Sequence, residues 1–221
     1  MYAQIPIGVV MTTREAKPGE SGTLDIEFFF DPGCPWAWIT SRWIHEVAAV
    51  RDISVHWRSY SLGMLNEGHD NPAFADKRAM AKKALRMIEA LEVEGRNDDI
   101  GRFYTEMGTR FHVNEEPASD ELMIAAAEAA GVDDKLDVAE DESWDPAVRA
   151  ALDEAKGMVG ADTGTPVIAW GEPRRAIFGP VLSPAPTGEK AGEVWDAMVT
   201  LTGNADFWEI KRGRDGGPDF S

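Results

Sequence analysis

Apolar and polar positions alternate from Leu24 to Glu27, then merge into the run Phe28, Phe29, Phe30. Period two followed by a continuous apolar stretch predicts a strand whose C-terminal half is buried. Asp31, Pro32 and Gly33 break it, because these residue types favour turns. From Pro35 to about Val50 the period changes, with Trp36, Ile39, Trp43, Ile44 and Val47 at helical spacing. Proline suits a first helical position, where its missing N–H leaves no bond unmade. Arg51 and Asp52 end the helix; Ile53, Val55, Trp57, Ser59 and Ser61 then alternate with their neighbours as a second strand. Strand, helix and strand in close succession imply parallel pairing.

Between about Pro72 and Met158 no strand pattern occurs. Apolar residues three and four apart (Met80, Ala84, Met87, Ile88, Leu91, then Phe103, Met107, Phe111) predict a block of four or five helices. One of them carries Leu122, Ile124, Ala125 and Ala129, with a cap expected at Ser119 and a stop at Gly131. Val167 to Trp170 and Arg175 to Phe178 read as two more strands, and the short turn between them implies an antiparallel hairpin. A last helix is expected from about Glu189 to Leu201. The order β, α, β, helical block, β, β, α is an α/β, thioredoxin-like layout with an inserted α-helical domain. The expected division is a flexible N-terminal arm at 1–23, a first thioredoxin-like part at 24–65, the helical insert at 66–158, and the second part with a C-terminal tail at 159–221.

Charge narrows the function. Lys plus Arg is 22 and Asp plus Glu is 39, so the formal charge is −17. That sign repels nucleic-acid backbones and anionic membrane surfaces. From residue 115 to 154 there are 14 acids and two bases, a net −12, which reads as a solvated helix surface. No run of about 18 apolar residues is present to span a bilayer. The apolar stretch Ile5 to Met11 lacks the preceding basic residue of a signal peptide, so a cytoplasmic location is expected. The sequence leaves a homodimer open.

Thiol chemistry rests on one sulfur, Cys34. No intrachain disulfide can form, and a cysteine-rich zinc site is excluded. Asp25, Glu27 and His69 show no metal-ligand spacing, so no metal is expected. With Pro35 opening the helix, Cys34 falls at its N-cap. Free N–H groups of the first turn and the positive end of the helix dipole would meet the sulfur there. Both favour the thiolate, so the expected thiol pKa lies below the free value of about 8.5.

The segment Phe-Phe-Phe-Asp-Pro-Gly-Cys-Pro-Trp-Ala-Trp-Ile-Thr-Ser-Arg-Trp, residues 28 to 43, resembles the active-site segment of DsbA-like thioredoxin-fold proteins. Its likeness is greatest to the mycothiol-dependent nitroreductase group. Ser61 and Leu62, Leu65-Asn66-Glu67, Tyr104, Met107, Gly108, Arg110 and His112, Gly164-Thr165-Pro166, Phe178 to Ser183, Trp195 and the tail Lys211, Arg212 and Arg214 extend it over nearly everything after residue 24. The resemblance implies Cys34 as the nucleophile and Pro35, Trp36 and Ala37 as the motif that holds the thiolate. It implies Pro166 as a cis-proline and Thr165 as its partner in orienting ligand. Asn66 and His112 would line the substrate cleft. It further implies mycothiol, or another low-molecular-weight thiol, as co-substrate, and a small disulfide or electrophile such as a nitroaromatic as substrate.

One position departs from the family pattern. Where the motif is Cys-Pro-Trp-Cys, residue 37 is Ala, so the resolving sulfur is absent. Either the chain is a monothiol member, released from its adduct by an external thiol, or Ala37 replaces a cysteine. Two alternatives stay open. One is a kappa-type glutathione-transferase-like or chromene-carboxylate-isomerase-like enzyme, which activates a co-substrate's sulfur; those relatives usually carry Ser at the Cys34 position. The other is a redox-inactive module that binds a thiol or peptide.

Overall fold

A computed structural model describes residues 22–69 and 71–221. All but Gly22 and Thr23 of the expected N-terminal arm lies outside the described residues. Strand β1 (Leu24–Phe30) pairs in parallel with β2 (Ile53–Ser59) across helix α1 (Pro35–Val50). Strand β3 (Val167–Trp170) lies antiparallel on the other side of β1 and pairs with β4 (Arg175–Phe178), giving the order β2-β1-β3-β4. β2 ends at Ser59, short of the expected Ser61. Ser61 instead caps the short helix α2 (Leu62–Leu65), its Oγ accepting from Met64 N at 3.1 Å.

The apolar run is buried because β1 sits between two strands and two covered faces. Phe28 and Phe30 point into one cluster with Trp57, Ile168 and the apolar stripe of α1. Phe29 points the other way, onto Tyr60, Val167, Ala169 and Leu152 and Ala155 of helix α6 (Asp145–Val159). All three rings are fully buried, each worth roughly 1.5–3 kcal/mol of burial. Helix α7 (Gly188–Thr202) packs on α1: the Trp43 indole N–H donates to Ala191 O at 3.1 Å, and Trp195 lies against Trp43 and Trp170. At the end of α1, Arg51 bonds Glu189 and Asp196 of α7. Its guanidinium rests on Gly192, where an added Cβ would lie 2.6 Å from it.

The helical block comprises α3 (Ala75–Val93), α4 (Asn97–Gly108), α5 (Asp120–Ala130) and α6. Ser119 caps α5 and Gly131 ends it in the left-handed conformation, φ 72°. The first cluster continues from the sheet through Trp38 into Tyr104, Met107 and Met123, so sheet and helices share apolar packing. The acidic stretch is not all solvated surface. Basic residues of α3 pair with part of it: Lys83 meets Asp120 and Glu140, which stay more than half exposed, and the buried Arg86 bonds the largely covered Asp145 Oδ1 at 2.7 Å and Ala139 O at 2.9 Å. A guanidinium so enclosed needs those acceptors. No helix among the described residues is long and apolar enough to cross a membrane.

Candidate active site

The sulfur lies where β1 hands over to α1. Asp31 O accepts from Cys34 N at 2.9 Å, closing the Asp31-Pro32-Gly33 turn. Cys34 is then the extended N-cap of α1, with Pro35 following it at the first helical position. Its Sγ accepts from Ala37 N at 3.5 Å and stands 3.6 Å from Thr165 O, toward which the thiol donates. Thr165 is fixed in turn: its hydroxyl donates to Phe29 O at 2.7 Å, and the Thr165–Pro166 bond is cis. Two segments far apart in sequence, 29–37 and 165–166, therefore converge on one sulfur.

The expected thiolate is overturned for this closed arrangement. Cys34 is only 5% exposed, and burial pushes its thiol up to about 11. The Ala37 and Trp36 N–H groups and the Lys77 charge pull the other way, while the Asp31 carboxylate adds to the rise. Helix-end N–H groups stabilise a thiolate, but removing the sulfur from water costs more here. Asp31 is itself buried and its carboxyl raised, first by burial; Leu62 N and Gly33 N each donate to it at 2.8 Å. Those two bonds tie the active-site turn to the start of α2.

The other predicted residues fall into distinct places. Ala37 is fully buried beside the sulfur, and Trp36 is half-buried with the Arg214 guanidinium 4.9 Å above its ring. Asn66 caps α2: its amide N–H donates to Leu62 O at 2.7 Å. His112 sits in a π-helical turn, Thr109–Val113, that extends α4. Its Nε2–H donates to Pro32 O at 3.0 Å, and its ring lies between Trp38 and Phe220. Burial lowers its pKa to about 4, so it is neutral and braces the turn from behind.

Sequence reading missed several residues here. Asp31 reads in the sequence only as a turn former, and nothing in its spacing reveals its burial. Arg42 lies over the Trp38 ring at 4.0 Å and bonds Thr105 Oγ1 at 3.1 Å, without a carboxylate within 4.0 Å among the described residues. Tyr104 stacks on Phe30 at 3.8 Å, and burial raises its hydroxyl pKa. A cavity of about 610 Å³ opens between α2, α3 and α6, lined by Ser61, Met64, Glu67, Lys82 and Arg149; Cys34 does not line it. No group of three or more His, Cys, Asp or Glu among the described residues is placed to hold a metal ion.

Residues 33–212 match the family described as "Rv2466c-like: Mycothiol-dependent nitroreductase Rv2466c". "Uncharacterized protein Rv2286c" of Mycobacterium tuberculosis is 29% identical over 195 residues, 85% of this chain and 81% of that protein. Among solved structures, the probable DsbA oxidoreductase SCO1869 of Streptomyces coelicolor superposes with a TM-score of 0.54 at 18% identity, covering 89% of this chain and 97% of that one. The oxidoreductase DsbA of Xylella fastidiosa gives 0.51 at 16% identity, covering 81% and 86%. These likenesses establish the thioredoxin-like fold with its helical insertion.

Proposed function

The chain belongs to the Rv2466c-like family of mycothiol-dependent nitroreductases, and on that premise we propose that it is a monothiol oxidoreductase with Cys34 as nucleophile and mycothiol as co-substrate. The observation that carries the reading is the convergence of the α1 N-cap and the Thr165–Pro166 loop on the chain's one thiol. Opened to water and deprotonated, Cys34 attacks one sulfur of a small disulfide. A bond forms between Cys34 Sγ and that sulfur, the S–S bond breaks, and the departing thiolate takes a proton. A mycothiol thiolate then attacks the mixed disulfide, freeing Cys34 and leaving as the new disulfide. With a nitroaromatic, Cys34 and one mycothiol supply the two electrons and two protons that turn nitro into nitroso plus water. The Cys34–mycothiol disulfide remains, and a second mycothiol reduces it.

Ala37 supports the external-thiol route, because no second cysteine is present to resolve the adduct. The test is intact mass after incubation with oxidised mycothiol. One mycothiol per chain, absent in Cys34→Ser and removed by free mycothiol, is the expected result. An unmodified parent protein overturns the reading.

The enclosure of Cys34 favours a second reading, a redox-inactive module that binds a thiol. That reading predicts mycothiol binding by calorimetry without a covalent adduct.

A further inference from the structure

The segment after α7 has no regular structure, yet it returns to the active site. Arg214 lies over the ring of Trp36, two residues after Cys34. Phe220 lies 5.8 Å from the ring of His112, which bonds Pro32, two residues before Cys34. Between these points Ser183 anchors the segment: its hydroxyl donates to Gly217 O at 3.1 Å and accepts from Asp219 N at 2.8 Å. Six residues of chain reach roughly 20 Å when extended, enough to pass from one flank of Cys34 to the other.

The hold is slight. Among the described residues, nothing from 208 to 216 makes a hydrogen bond, and Arg214 on Trp36 is the one ring contact there. Trp208 and Ile210 are 89% and 71% exposed, so neither anchors the stretch that follows the half-buried Phe207. A segment with few buried contacts and few hydrogen bonds opens locally at low cost.

We propose that residues 204–221 form a removable strap across the Cys34 turn, and that Arg214 and Phe220 control which molecules reach the sulfur. Closed, the strap keeps water and oxidants from the thiol. Open, it bares the Trp36 ring, the α1 N-terminus and Cys34 together. This inference concerns access; it rests on the proposed nucleophile only for its consequence in turnover.

The single cysteine makes the test direct. The second-order rate of Cys34 alkylation by iodoacetamide, followed by intact mass at about pH 8, is measured for the parent, Ser183→Ala, Arg214→Ala with Phe220→Ala, and a chain ending at Gly203. The point variants keep the fold-bearing elements, and near-ultraviolet circular dichroism checks each. Raising the open fraction should speed alkylation by about ten-fold in the double variant and more in the shortened chain. Trp208→Ala, which touches neither anchor, should leave the rate unchanged. Rates within about two-fold of the parent in all variants overturn the strap. The same proteins are then offered oxidised mycothiol. Faster alkylation without any adduct sustains the strap and sinks the proposed chemistry. An adduct forming at equal rates in every protein, with alkylation unmoved, does the reverse.

Discussion

Gly108→Ala is a sharp test of how the active-site turn is braced. Gly108 ends α4 against the Trp38 ring of α1, and a Cβ there would lie 2.1 Å from Trp38 Cε3 and 2.2 Å from Cζ3. Ordinary carbon contacts sit near 3.5–4.0 Å, so the ring or the helix must retreat by more than about 1 Å. The ring has little room. Trp38 is 3% exposed, with Arg42 on one side, the His112 ring stacked at 6.0 Å and the Tyr104 ring edge-on at 5.6 Å. Overpacking of this kind costs about 1–3 kcal/mol or more, against roughly 1 kcal/mol gained by replacing glycine in a helix. The expected net is a loss of up to about 2 kcal/mol or more. Gly157→Ala is the control: it is helical in α6 with nothing within 4 Å of an added Cβ, so it should gain about 0.5–1 kcal/mol. Urea unfolding followed by tryptophan fluorescence reads both. Gly108→Ala more stable than the parent would show that Gly108 and the Trp38 ring are not in this contact. Since Trp38 backs His112 and His112 holds Pro32, the same variant should also change the alkylation rate of Cys34.

Further outcomes follow from the site. With its thiol pushed up to about 11, Cys34 of the parent should alkylate slowly near neutrality and speed up about tenfold per pH unit as the thiolate fraction grows; a rate already flat between about pH 6 and 8 contradicts the burial argument. Ala37→Cys places a sulfur one helical turn from Cys34, and oxidation should remove both thiols and about 2 Da; two free thiols after oxidation would misplace the helix start. His112 is lowered to about 4 from the usual 6.5, so between those values the unfolded chain binds the extra proton. The stability from keeping it neutral is therefore full above pH 6.5 and lost toward pH 4, up to about 3 kcal/mol. His112→Gln should flatten that part of the pH–stability curve, and an identical curve would refute the assignment.

Much of the architecture was legible along the chain because its signals are local. The switch from period two to helical spacing at Asp31 to Pro35 marks β1, the turn and α1, and the short turn after Trp170 marks the hairpin. Asn66 and His112 show the limit. Both were expected in the cleft by resemblance, and the structure occupies the Asn66 amide in capping α2 and sets His112 behind the turn. The acidic stretch shows it too, since its pairing with α3 depends on helices that meet only in three dimensions.

By itself the sequence determined the strand–turn–helix that puts Cys34 at an N-cap, because steric and capping preferences act over a few neighbouring residues. It also determined that no second cysteine exists. Tertiary structure alone decided the protonation of that sulfur. Thr165, Asp31 and the enclosing packing set how much water reaches it, and desolvation depends on every atom nearby, whatever its distance along the chain.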